Sequence, residues 1–338
     1  ALYTLGARLD YDLDLFGRLA KSDRAARLDA RARSALLEGA RLTVEAQIAT
    51  TYLDLRAADQ ERALLTETAG AYAEALRIIQ ANRQAGLASD ADVARAQAEL
   101  AAVEAESLAL YRRRDTLEHA LACLAGAAAP DFHVEAAAMP SLPPPVPAGL
   151  PSDLLVRRPD LVAAGQALEA ARLRVDVART AWLPSMSLTA NGGFASSDLV
   201  RLLSASARSY GLEVLTALPV FDGGRRKAGV MAARADQVLA AAQYRGQVLT
   251  AFREVEDQLS ALRLLSAQAE AQRAAVDADA RATRLLEGRV NDGLASRLAL
   301  LDARRTELKD RRADAQIASA RFEATVALVR ALGGGWTP

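Results

Sequence analysis

Gly86-Leu87-Ala88-Ser89 recurs as Gly293-Leu294-Ala295-Ser296, and each copy sits between two long stretches free of proline. Position 293 less position 86 gives an offset of 207 residues, which also sets Val93 opposite Leu300 and Ala96 opposite Ala303. A chain that repeats itself in this way is read first as a duplication. Glycine supplies the positive φ that ends a helix, and a serine three residues later is a favoured N-cap for the next one. Each quartet therefore reads as the tip of a helical hairpin.

Working outward from the first tip, no proline interrupts the chain from about Arg18 to Ala85, and Gly39 and Gly70 are the only interior glycines. Such a helix would run roughly 100 Å at about 1.5 Å per residue, and it needs neighbours along its whole length. Its return arm spans about Asp90 to Leu124. Around the second tip the helices run from about Arg225 to Arg289 and from Arg297 to Leu332. Within the first of these, Val248, Phe252, Val255, Leu259 and Leu262 follow heptad spacing. Eight of the eleven prolines fall between Pro130 and Pro159, an extended connector between the copies. Pro159 suits the first turn of a further helix, which continues to Trp182.

The remaining stretches alternate at period two. Tyr3, Leu5, Ala7, Leu9, Tyr11, Leu13 and Leu15 alternate with Thr4, Gly6, Arg8, Asp10, Asp12 and Asp14, giving a strand with one apolar and one polar face. Its length fits a tilted membrane-spanning strand, but on this segment alone a strand of a soluble sheet is the preferred reading. Met186 to Phe194 forms a second strand. A loop near Ser196 to Arg208 leads to a third, around Tyr210 to Phe221, of weaker alternation.

Composition narrows the function classes. Aromatic residues make up 4% of the 338, and much of the 51% apolar content is alanine, which suits close-packed helices better than one thick core. Lys plus Arg (42) balances Asp plus Glu (42), so no global field recruits nucleic acid. Cys123 stands alone and predicts no disulfide framework. His119 and His133 have no partner at metal-ligand spacing. Gly223-Gly224 and Gly333-Gly334-Gly335 lack the lysine and the setting of a phosphate loop. No catalytic residue, metal site or cofactor is expected.

Several ordered motifs together resemble those of TolC-type outer-membrane efflux proteins. They are Asp14-Leu-Phe-Gly17, Thr51-Tyr-Leu-Asp-Leu55, Leu150-Pro-Ser-Asp-Leu-Leu-Val-Arg-Arg-Pro-Asp160, Ala178-Arg-Thr-Ala-Trp-Leu-Pro-Ser185, Pro219-Val-Phe-Asp-Gly-Gly224, Ala251-Phe-Arg-Glu-Val-Glu256, Leu301-Asp-Ala-Arg-Arg305 and Ala331-Leu-Gly-Gly-Gly-Trp336. The lipoprotein subgroup serving pumps driven by resistance–nodulation–division transporters is the most similar.

The resemblance implies a mainly α, internally duplicated fold whose hairpins form an α-barrel. It also implies a homotrimer with a small membrane β-barrel of twelve strands, four per chain; three are visible here. Segment by segment, 1–17 would carry the first membrane strand, 18–128 the first periplasmic hairpin, 129–158 the equatorial connector and 159–184 the ascending helix. Residues 185–223 would form a membrane strand pair, 224–332 the second hairpin and 333–338 an equatorial tail. A further helix and strand, a signal peptide and a lipidation cysteine are expected upstream of Ala1.

Function would then reside in a passive conduit for drugs or other toxic small molecules across periplasm and outer membrane. By the resemblance, Arg289, Leu298, Asp302 and Arg305 occupy the places of the periplasmic gate. Val290 stands where the family often has a tyrosine. Gly86, Leu87, Ala88, Ser89, Gly293, Leu294, Ala295 and Ser296 would meet a periplasmic adaptor protein, and through it an inner-membrane resistance–nodulation–division transporter. Outer-membrane lipid would surround the strands, and Asp10, Asp12 and Asp14 would line the lumen and favour cations. A soluble, elongated coiled-coil scaffold without transport activity is the other reading that these helices allow.

Overall fold

The structure is a computed structural model that describes residues 2–140, 143, 144, 146 and 157–334. In chain order it contains β1 (Tyr3–Leu13), α1 (Arg18–Gln84), α2 (Asp90–Leu124), α3 (Pro159–Thr180), β2 (Ser185–Ser196), β3 (Arg208–Ala217), α4 (Arg225–Asn291) and α5 (Arg297–Ala331). Short 3-10 turns occupy Ala129–Asp131, Leu199–Arg201 and Ala205–Ala207. Of the motif at 150–160, residues 150–156 lie outside the described chain, as do residues 335–338 of the tail.

The 207-residue offset recurs at both ends of every long helix: Arg18 and Arg225, Gln84 and Asn291, Asp90 and Arg297, Leu124 and Ala331. Both copies therefore have helices of 67 and 35 residues. Glycines with positive φ mark the same joints, Gly17 with Gly224 before the long helices and Gly126 with Gly333 after the short ones.

The chain divides into two compact units, one of Ala1–Glu38 with Pro159–Leu249 and one of Gly39–Arg158 with Thr250–Pro338. In the first, β1, β2 and β3 form an antiparallel sheet in that order. Its rows put Leu9, Ala190 and Leu212 on one face and Asp10, Thr189 and Glu213 on the other. Gly6 and Gly193 face each other so closely that a Cβ on Gly193 would lie 2.3 Å from the Leu5 carbonyl oxygen. Beside the sheet, Ala25 and Leu28 of α1 pack on Ala170 and Leu173 of α3, and an Arg174–Asp29 ion pair joins the same two helices.

Two expectations about the strands need adjustment. β1 ends at Leu13 because the Asp14 carboxylate turns to the start of α1, where it accepts from the N–H groups of Leu19 (3.0 Å) and Ala20 (2.8 Å). β3 stops at Ala217, short of Phe221, since Pro219 has no N–H to give a ladder.

In the second unit α1 meets both α2 and α5. Ala58, Leu65 and the half-buried Tyr72, each seven residues apart, pack against Val103, Leu110 and Leu117 at the same spacing. That is the repeat of a left-handed coiled coil. Leu64 packs separately with Leu308 and Ala315 of α5.

An ionic clamp fixes the start of the connector. Arg114 donates through Nε to Asp59 Oδ1 (2.8 Å), through Nη1 to Glu118 Oε2 (2.9 Å) and through Nη2 to the Val134 carbonyl (2.6 Å). Glu118 accepts from the Val134 N–H, and Arg56 donates to both Asp59 and the Glu135 carbonyl. Arg56, Asp59, Arg114 and Glu118 are all buried. At the far end of α5, the buried Arg158 donates to Glu254 (2.8 Å) and to the Ala331 carbonyl (3.0 Å).

Candidate functional site

Each tip is built from backbone bonds its sequence dictates. Gly86 (φ 75) and Gly293 (φ 71) take the left-handed conformation that lets the next residue reach back. The Leu87 N–H donates to Asn82 O at 2.8 Å, and that of Leu294 to Arg289 O at 2.7 Å. Leu87 and Leu294 are left 79% and 69% exposed at the turn, an apolar pair with no cover in this chain.

Ser89 and Ser296 then cap α2 and α5, accepting from the N–H groups of Asp92 and Ala299. Such a cap contributes about 1 kcal/mol. The first tip alone has the reciprocal bond, with Asp92 accepting from Ser89 Oγ (2.7 Å) and N–H (3.0 Å). These bonds from Ser89 hold the Asp92 carboxyl below its usual range. A depressed carboxylate stabilises above its unfolded pKa and loses that effect as pH falls through its folded value. The first tip therefore loosens on acidification, whereas the second has Ala299 in the equivalent place.

Above the tips, α5 carries arginines at two seven-residue spacings, 297–304–311 and 305–312. Four of the five reach across to the other hairpin. On α1, Glu74 pairs with Arg297 (2.8 Å), Glu67 with Arg311 (3.4 Å) and Glu61 with Arg312 (2.7 Å). On α2, Glu99 pairs with Arg305 (2.5 Å) and Glu106 with Arg312 (2.6 Å). Arg304 instead pairs with Glu287 of α4, within its own hairpin, at 3.1 Å.

Arg305 is the most elaborated of these. Its guanidinium lies 3.7 Å from the centre of the Tyr72 ring and also bonds Asp302 Oδ1 at 3.0 Å. Partial burial works against its charge, but Tyr72 and Glu99 outweigh that and hold its pKa above the ordinary arginine value. Beside Arg305 and Arg312 an open groove of about 650 Å³ is lined by Tyr72, Glu106, Asp302 and Lys309.

Of the candidate gate residues, the structure thus brings Asp302 and Arg305 together. Leu298 is half-buried one turn earlier on the same helix. Arg289 is exposed at the end of α4 and makes no ion pair among the described residues. Sequence reasoning missed Glu61, Tyr72, Glu74, Glu99, Glu106, Arg297 and Arg312. The signal was there, in arginines seven apart on one helix and glutamates seven apart (67 and 74, 99 and 106) on two others.

On the polar face of the sheet, Asp10 accepts from Thr189 Oγ1 (2.6 Å) and pairs with Arg8 (3.0 Å), while Asp12 pairs with Arg18 at 3.5 Å. Glu213 shares the row of Asp10 across Thr189 and joins this acidic face, which Asp14 leaves to cap α1.

The chain matches the family model described as outer membrane efflux protein over residues 1–127 and 150–334. It is 33% identical to outer membrane protein OprJ of Pseudomonas aeruginosa over 337 residues, 99% of this chain and 70% of that protein. With the solvent efflux pump outer membrane protein SrpC of Pseudomonas putida it shares 34% over 338 residues, covering 99% and 72%. Among solved structures it resembles the outer membrane protein VceC of Vibrio cholerae, with a TM-score of 0.88 and 27% identity over 99% of this chain and 80% of that one.

Proposed function

The chain belongs to the outer membrane efflux protein family, and from that premise we propose that three copies close into one conduit, a twelve-stranded barrel continuous with a barrel of helices. It is an outer-membrane efflux channel component. We assign it as cargo drugs or other toxic small molecules. We assign it as partners a periplasmic adaptor at the two hairpin tips and an inner-membrane resistance–nodulation–division transporter. The divisions at 17, 128, 158, 184, 223 and 332 are the proposed boundaries between membrane strands, hairpins and connector.

One observation carries this reading. The sheet has β1 and β3 as open edges among the described residues, and its apolar face stands in the open, with Leu9 67%, Tyr11 61%, Tyr210 92% and Leu212 73% exposed. In a bilayer every strand edge has to be paired, which only closure with further strands achieves. The length of α4 supports the same conclusion, since Ala251, Ala269 and Thr283 are its only buried residues among the 67. Other copies of the chain packed around the sheet and α4 would account for both features.

Detergent-extracted protein is expected to migrate as a heat-resistant trimer and to form conducting channels in planar bilayers. Recovery as a soluble monomer would favour the scaffold instead. In the same recordings Asp10→Asn with Asp12→Asn is expected to reduce cation preference, because both carboxylates lie on the polar face of β1. An unchanged reversal potential would remove these residues from the lumen.

A further inference from the structure

β1 and β3 leave the sheet at the end where β2 enters it, since Leu13 pairs with Met186 and Ser185 with Ala217. All three strand–helix junctions therefore lie along one rim of the first unit. At each, exposed apolar side chains stand next to a cationic helical turn. Leu15 and Phe16, 61% and 40% exposed, precede Arg18; Trp182, 51% exposed, follows Arg179; Val220 and Phe221, 90% and 91% exposed, precede Arg225, Arg226 and Lys227. Apolar groups at the edge of hydrocarbon with cations one turn beyond is the order expected where a protein leaves a bilayer.

Which cations remain available can be read from their partners. Arg226 is held by Asp222 (2.7 Å) and stacks on Trp182 at 4.7 Å, Arg18 pairs with Asp12, and Arg179 pairs with Asp176. The positive ends of α1 and α4 are filled by the chain's own carboxylates. Asp14 accepts from Leu19 and Ala20, and Asp222 from the N–H groups of Gly224 (3.1 Å) and Arg226 (2.9 Å). Arg225, Lys227 and Lys21 make no ion pair among the described residues, and no acid occurs from Gly223 to Ala235. The rim thus carries a surplus of positive charge beside its most exposed apolar side chains. A cleft of about 170 Å³ between the junctions has apolar walls in Leu15, Phe16 and Met186 and polar ones in Asp12, Asp14 and Arg18.

We propose that Arg225 and Lys227, with Lys21 at the neighbouring junction, bind the phosphates of anionic phospholipids in the periplasm-facing leaflet, Val220 and Phe221 seating among their acyl chains. The proposal rests on the reading of the strands as a membrane barrel. Charge complementarity selects the lipid, since a zwitterionic headgroup cancels most of the attraction that a net negative one gives.

The test uses the full chain reconstituted into phosphatidylcholine vesicles with or without phosphatidylglycerol, with native mass spectrometry of the lipid retained. Wild type is expected to retain phosphatidylglycerol preferentially. Arg225→Gln with Lys227→Gln is expected to weaken that preference by roughly thirtyfold, two cations near a charged surface. Arg234→Gln, about 10 Å further along α4, should leave it unchanged. Equal retention of both lipids by a conducting wild type overturns the proposal while sparing the channel. So does a double variant that dissociates into monomers in either lipid, because the cations would then be serving another copy of the chain. Failure of wild type to insert or conduct at all brings down the barrel reading and this proposal with it.

Discussion

Arg114→Met is expected to cost about 3–5 kcal/mol, the range for breaking a buried ion cluster by removing one partner. It leaves the buried Asp59 with Arg56 as its one remaining cation, takes Arg114 from the buried Glu118, and removes the side-chain donor from the Val134 carbonyl. The visible effect should be a large fall in heat resistance, together with faster hydrogen exchange at residues 132–137, which the clamp holds. Acidity should shrink the difference. In wild type burial pushes the Glu118 carboxyl up, but the Val134 N–H and Arg114 outweigh it and leave the group below its usual range. That stabilisation is present above the unfolded carboxylate pKa and fades as pH falls through the depressed value. In the variant the Val134 N–H still opposes burial but the Arg114 charge and bond are gone, so Glu118 takes up its proton at a higher pH than in wild type and part of its cost is relieved. A variant as heat-resistant as wild type near neutral pH would show that the clamp is incidental.

Much of this architecture was legible because it depends on local periodicity. The two glycine–serine quartets give helix ends and caps, and a turn of that kind is complete within about ten residues. The alternation from Tyr3 to Leu13 likewise needs no knowledge of what the strand pairs with. Asp14 was misplaced for the same reason: an acid at the next even position continues a period-two pattern, and only the fold shows its carboxylate capping α1. The connector clamp was not legible, because Asp59 and Ala137 are brought together by a turn of the whole first hairpin. Nor was the ladder of ion pairs. Charges of mixed sign along an isolated helix look like a solvated face, and what makes Arg305 different is the meeting of Tyr72 from α1 and Glu99 from α2 on one side of α5. Val290, which removes a tyrosine that the family resemblance leads one to expect, was legible, but the Tyr72 ring on Arg305 was not.

That meeting sets the largest functional effect we expect. If α5 must swing away from the first hairpin to widen the periplasmic end, every pair between them opposes opening, and Arg305 and Arg312 supply the closest ones. Their side chains are 20% and 23% exposed and their acidic partners 16–48%, so each copy's pairs are discounted for solvent to about 1 kcal/mol in total. In the proposed trimer, three copies opening together would then lose about 3 kcal/mol, and at about 1.4 kcal/mol per tenfold the open fraction should rise on the order of 100-fold in Arg305→Gln with Arg312→Gln. Single-channel conductance and passage of large solutes measure this, at about 0.1 M salt, because at about 1 M the screening length shrinks to about 3 Å and wild type loses much of the same attraction. Arg304→Gln is the control, since Arg304 pairs with Glu287 inside its own hairpin and bridges nothing that must part. Equal effects in the control and the double variant would mean that general charge, rather than the link between hairpins, sets the resting state. No effect in either would place the barrier to opening elsewhere, with the half-buried Leu298 as the next residue to change.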